Sequence, residues 1–135
     1  MIRRDQYMQR LKAFKDNKLI KVITGLRRCG KSTLLQLFKQ ELLKDGIADD
    51  HIIDINFELM AYDDIRDYRQ LYGVVREKIG GGKYYLLLDE IQQADSWEKA
   101  VNSLSVEPDI DMDIYITDHE GIRFQNIIDF LLSPE

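Results

Sequence analysis

One cysteine (Cys29), two prolines and one tryptophan are spread through 135 residues. A single thiol excludes an intrachain disulfide, and with it the stapled architectures of small secreted domains. The scarcity of proline leaves long stretches where helices and strands run uninterrupted. The longest apolar run, Tyr84 to Leu88, is far short of the roughly 20 residues of a membrane-spanning helix. The opening Met1-Ile2-Arg3-Arg4-Asp5 is not followed by the apolar core of a signal peptide. These features lead to the expectation of a cytoplasmic protein with no membrane partner. No repeat or low-complexity tract occurs, and 44% hydrophobic against 32% charged residues excludes disorder as a whole-chain description. The length fits one domain with a real core.

The charge is uneven. Residues 1–44 carry 12 Lys and Arg against 3 acidic residues, whereas residues 45–135 carry 7 against 21. An acidic chain is a poor general nucleic-acid binder, but a basic first third suits an anion, either a nucleotide phosphate or a nucleic-acid backbone.

Hydrophobic spacing predicts an amphipathic helix over residues 4–15, a buried strand from Lys18 to Thr24, and a helix from Lys31 to Lys44. A strand follows from His51 to Phe57, then a helix from Asp64 to Ile79 closed by Gly80-Gly81-Gly82. Tyr84 to Leu88 reads as a strand. Ser96 to Leu104 is a helix capped by Asp95 or Ser96, and Asp113 to Thr117 a strand. Phe124, Ile127, Ile128 and Leu131 suggest a final helix. Strands alternating with helices imply an α/β fold with a mostly parallel sheet of about four strands flanked by helices. Ligands then bind at the carboxyl ends of the strands.

The first strand ends in Gly25-Leu26-Arg27-Arg28-Cys29-Gly30-Lys31-Ser32-Thr33, which fits the phosphate-loop (Walker A) pattern G-x-x-x-x-G-K-[ST]. Glycines allow successive N–H groups to turn inward around a phosphate, and the following helix points its positive end there. Lys31 supplies a point charge, and the Ser32 hydroxyl is a ligand for Mg²⁺. Arg27 and Arg28 either add positive potential or are simply solvated. Cys29 reads as a small residue chosen for fit, with a cation-activated thiol as the alternative.

The third strand runs into Asp89-Glu90. An apolar strand ending in Asp, downstream of a phosphate loop, is a Walker B pattern, in which Asp89 serves the metal. Glu90 then suits a water-activating base, and the acidic pair favours water as phosphoryl acceptor. Thr117, ending the fourth strand, is a candidate sensor of the γ-phosphate or the attacking water; packing explains a strand Thr equally well. Asp118 and His119 fit a helix cap better than a ligand set, and His51 belongs to the opposite end of the sheet.

The phosphate loop with its paired arginines, the run Leu86-Leu87-Leu88-Asp89-Glu90-Ile91-Gln92 with Trp97-Glu98, the opening Ile2-Arg3-Arg4-Asp5-Gln6-Tyr7, and the strand Asp113–Thr117 resemble one family. They are similar to the archaeal and bacterial AAA+-type P-loop ATPases whose AAA domain precedes an uncharacterised C-terminal domain. The resemblance implies a three-layer P-loop NTPase fold and ATP and Mg²⁺ at Lys31, Ser32 and Asp89, with a hydrolytic role for Glu90. It assigns Gln92 no role. It also implies a fifth strand, a lid and a C-terminal domain, none of which the sequence pattern supplies after Thr117. Residues 1–135 are therefore expected to be a single, shortened ATP-binding domain. Its strand Lys18–Thr24 would be an exposed edge, a route to self-association.

The leading expectation is an AAA+-like domain that binds Mg-ATP and hydrolyses it weakly or not at all. The alternative is a nucleotide-responsive interaction module for a protein or DNA partner, motivated by the basic N-terminal helix. A small-molecule kinase fits less well, because Glu90 follows Asp89 and no Arg-rich lid is present. Adenine is favoured over guanine by resemblance alone, since no Asn-Lys-x-Asp motif occurs.

Overall fold

The computed structural model describes residues 4–13, 15, 20–24, 31–118 and 127–131. Its elements are α1 (Arg4–Ala13), β1 (Ile20–Thr24), α2 (Lys31–Lys44), β2 (Ile52–Asn56), α3 (Tyr68–Lys78), β3 (Lys83–Asp89), α4 (Trp97–Val106), β4 (Asp111–Asp118) and β5 (Ile127–Leu131). The strands form one sheet in the order β2-β3-β4-β1-β5, and every pairing is parallel.

Alternation along the strands sorts the core into two layers. Ile23, Ile52, Tyr85, Leu87 and Tyr115 pack against Leu11 of α1 and Leu34, Leu35, Phe38 and Leu42 of α2. On the other face Ile20, Val22, Ile53, Ile55, Leu86, Leu88, Ile114 and Ile116 pack against Leu71 and Val75 of α3 and Val101 and Leu104 of α4. The expected α/β architecture with helices on both faces is thus present. Phe38 meets Tyr115 with ring centroids 4.4 Å apart. α1 is tied to α2 by Lys12 Nζ at 2.9 Å from Glu41 Oε1, a pairing that raises the lysine pKa and lowers that of the glutamate.

Two expectations about the sheet are corrected. Residues 127–131, expected within a final helix, form β5 and pair with β1 from Ile20↔Ile127 to Thr24↔Leu131. A short apolar run does not distinguish helix from strand by periodicity, and the β1 edge offers unpaired backbone groups that a strand satisfies. Consequently β1 is not an exposed edge but lies between β4 and β5; self-association through it loses its basis. The outer strands are β2 and β5. On β2, Asp54 projects a charge that Gln36 Nε2 and Lys39 Nζ engage at 3.0 and 3.4 Å, a device that discourages edge-to-edge pairing.

The helix expected from Asp64 begins instead at Tyr68. Asp67 Oδ1 accepts the Gln70 backbone N–H at 2.9 Å, and Gln70 Oε1 accepts the Arg66 N–H at 2.7 Å. This reciprocal cap overrides the apolar periodicity upstream. Asp67→Ala should lower stability by about 1 kcal/mol in urea unfolding, with no change in fold by circular dichroism. His51 sits at the amino end of the sheet, as expected. Its Nδ1 donates to the Lys83 carbonyl at 2.8 Å, and its ring stacks on Tyr84 at 4.2 Å.

Candidate functional site

Three of the sequence-selected residues meet at the carboxyl end of the sheet. Asp89 follows Tyr85 and Leu87 on the α2 side of β3, and Thr117 follows Tyr115 on the same side of β4. The parallel register, ending at Leu88↔Ile116, brings Asp89 and Thr117 to the same height. Thr117 Oγ1 donates to Asp89 Oδ1 at 2.7 Å and accepts the Glu90 backbone N–H at 3.0 Å. One hydroxyl therefore bridges both members of the acidic pair. Thr117, Asp89 and Glu90 are 1%, 2% and 4% exposed, so these bonds answer the cost of burying polar groups.

Glu90 turns the chain out of β3. Its backbone is left-handed, φ 59° and ψ 44°, a conformation that costs a non-glycine residue about 1 kcal/mol or more. The bond from its N–H to Thr117 holds it there. Its carbonyl accepts the Gln93 N–H at 3.3 Å, and the short helical turn Ile91–Gln93 follows. Gln92 Nε2 donates to Glu90 Oε2. The two carboxylates thus have different partners, Thr117 for Asp89 and Gln92 for Glu90.

Gly25, Leu26, Arg27, Arg28, Cys29, Gly30 and His119 lie outside the described residues. Lys31 opens α2, and its side chain is likewise outside them. Ser32 and Thr33 are exposed in the first turn of α2. That turn lies at the carboxyl end of the sheet. The chain beyond α2, Gly46 to Ala48, lines a cleft with Lys83 and Tyr85 at the amino end, so α2 runs from one end to the other. Backbone N–H groups at a helix start lack intrahelical partners and attract anions. Asp118 pairs with Thr24 through the backbone.

Sequence reasoning passed over two features. Asn56 lies opposite Asp89 in the β2–β3 register, and its Oδ1 accepts the Glu58 N–H at 3.0 Å; its place at a strand end was the available signal. Beneath the site, Lys21 Nζ pairs with Asp113 Oδ1 in the core, and Tyr115 OH donates to Asp113 Oδ2 at 2.7 Å. No local pattern links residues 92 positions apart.

The donor set fits Mg²⁺ held on a phosphate. Such an ion takes one or two protein oxygens, keeping waters and phosphate oxygens for the rest. Asp89 has one oxygen fixed by Thr117, while its Oδ2 has no hydrogen-bond donor among the described residues. Ser32 supplies an exposed hydroxyl at the same end. No group of three or more His, Cys, Asp and Glu that could hold a metal occurs among the described residues, so the donors do not form a dedicated all-protein cage.

The parallel sheet, the helix set after β1 and the acidic strand end define an α/β nucleoside-triphosphatase architecture. A family model described as AAA domain matches residues 17–126, and the chain belongs to that family, among the AAA+-type P-loop ATPases. The chain is 42% identical over 135 residues to an uncharacterised protein of Haemophilus influenzae, with 98% of this chain and 33% of that protein covered. It therefore spans about one third of this curated relative's length. Two solved structures share its fold. Drosophila ORC bound to DNA gives a TM-score of 0.56 at 15% identity, covering 96% of this chain and 89% of that one. Drosophila ORC bound to AT-rich DNA and Cdc6 gives 0.61 at 14%, covering 96% and 54%. At such identities the likeness is one of fold. Among the described residues no helix is long and apolar enough to cross a membrane.

Proposed function

We propose that residues 1–135 form one ATP-binding domain that holds Mg-ATP in the loop Gly25–Thr33 and hydrolyses it slowly to ADP and phosphate. The observation that carries this reading is the Asp89–Thr117–Glu90 arrangement at the carboxyl end of the sheet, the end at which α2 begins. Lys31 would meet the β- and γ-phosphates, and the backbone from Gly25 to Gly30 would cradle them. Ser32 and Asp89 would hold the Mg²⁺, which neutralises phosphate charge. Glu90 would take a proton from the attacking water as the bond from the γ-phosphorus to the β–γ bridging oxygen breaks. Thr117, already bonded to both acids, would set their relative position and sense the γ-phosphate only by giving up one of those bonds.

Calorimetry with ATP and Mg²⁺ tests the reading. Binding should be measurable, and Lys31→Ala should weaken it about 10- to 100-fold, the loss of a charge-assisted phosphate contact. Native protein that binds no nucleotide would refute it.

A second reading, a nucleotide-responsive module for a DNA or protein partner, draws on the basic residues of α1 and on the DNA present in the ORC structures of like fold. It predicts a salt-dependent mobility shift of duplex DNA that ATP modulates.

A further inference from the structure

Gln92 is the one polar residue of the Leu86–Gln92 run to which the proposed chemistry gives no task, yet its side chain turns back onto Glu90. From this geometry we infer that Gln92 is a positioning residue for Glu90: its amide holds the carboxylate in the orientation that meets the attacking water. The inference rests on the hydrolytic reading above and adds a residue to the same site.

Three observations carry it. Glu90 has a left-handed backbone at φ 59°, so its side chain leaves the sheet in a direction that the strand geometry of β3 does not dictate. Its backbone is fixed at the N–H by Thr117 and at the carbonyl by Gln93. That leaves the side-chain torsions to be set, and a Glu side chain has three of them. The Gln92 Nε2 bond to Glu90 Oε2 restrains the end of that chain. The turn Ile91–Gln93 makes the contact possible, because it places Gln92 beside the glutamate it follows by two residues. Gln92 is exposed, whereas its neighbour Ile91 is 0% exposed. Ile91 therefore anchors the turn while Gln92 is free of packing duty, and an exposed glutamine with no core contact to make has its amide left for the glutamate. Holding a base within a fraction of an ångström of its working position is worth a large factor in rate, and misplacement by about 1 Å can cost about 100-fold.

The test combines two variants with two readouts. Gln92→Met keeps the length and removes the donor; Gln92→Glu keeps the shape, removes the donor and places a like charge against Glu90. Gln92 is exposed, so both should keep the native melting temperature. Both should retain the Kd for Mg-ATP within about twofold, and kcat should fall about 10- to 100-fold, further in Gln92→Glu than in Gln92→Met. The second readout is independent of turnover: the Gln92 side-chain amide resonance in ¹⁵N-labelled native protein should shift when Glu90 is replaced by alanine. An unmoved resonance overturns the inference. So does a kcat within about twofold of native, or a loss that appears in Kd instead of kcat. Native protein that binds Mg-ATP but never releases phosphate overturns the hydrolytic reading itself and the role of Gln92 with it. An active native enzyme with unaffected Gln92 variants overturns the inference alone.

Discussion

Asp113→Leu alone should lower the unfolding free energy by about 3–5 kcal/mol, the range for leaving one member of a buried ion pair uncompensated. At this chain length that corresponds to a melting temperature lower by roughly 10–20 °C. The reason is geometric. Lys21 and Tyr115 are paired in the β1–β4 register, and Asp113 precedes Tyr115 by two residues on the same face. The ammonium meets one carboxylate oxygen, while the tyrosine hydroxyl meets the other. The Lys21 and Asp113 side chains are 0% and 1% exposed, and the Lys21 ammonium also lies 5.1 Å from the Tyr115 ring centroid. Without Asp113 the buried Lys21 ammonium loses its carboxylate partner. Lys21→Met, by the same argument, strands the carboxylate. The double variant Lys21→Met with Asp113→Leu strands no charge, because both partners are replaced by apolar groups of similar bulk, and it should recover part of the loss, the remainder being the Asp113 acceptor that the Tyr115 hydroxyl gives up. Urea unfolding of the four proteins checks the cycle. Losses that simply add in the double variant would mean that the pair makes no coupled contribution.

This pair also marks where the sequence stops being readable. The strand ends that carry Asp89, Glu90 and Thr117 are legible because each closes a short apolar run and because a parallel sheet gathers its ligands at that end. The helix Lys31–Lys44 is legible from Leu34, Leu35, Phe38 and Leu42 on one face. Lys21 offers no comparable signal: a lysine inside a buried strand shows that a partner is needed, but not that Asp113 supplies it. The role of Thr117 as a bridge depends on the β3–β4 register, a tertiary fact. The turn at Glu90 depends on a left-handed residue that is not glycine, which propensity argues against. β5 reads as a helix because Ile127, Ile128 and Leu131 have helical spacing, while a short apolar run equally suits a buried strand; the deciding influence is the open side of β1. Gln92 was visible as part of a pattern, but only the return of the chain beneath Glu90 gives it a partner.

The largest effect on activity should come from Glu90→Gln. The substitution keeps the size of the side chain and the backbone N–H that Thr117 accepts, and it removes the negative charge and with it the ability to take a proton. If Glu90 is the base, phosphate release should fall about 10²- to 10⁴-fold, while the Kd for Mg-ATP stays within about twofold. Asp89→Asn should behave differently. It keeps a carbonyl oxygen that can accept the Thr117 hydroxyl, but it lowers the charge facing the metal, so its loss should appear first as a higher Mg²⁺ requirement. Titrating Mg²⁺ at fixed ATP separates the two variants: the Asp89→Asn rate should rise with added metal, and the Glu90→Gln rate should not. The contrast follows from the structure, because Thr117 joins the two acids through one hydroxyl, yet their carboxylates face different groups. Asp89 is held by Thr117 and Glu90 by Gln92. Equal metal dependence in the two variants would mean that both carboxylates serve the same ion, and the assignment of Glu90 to the water would fall.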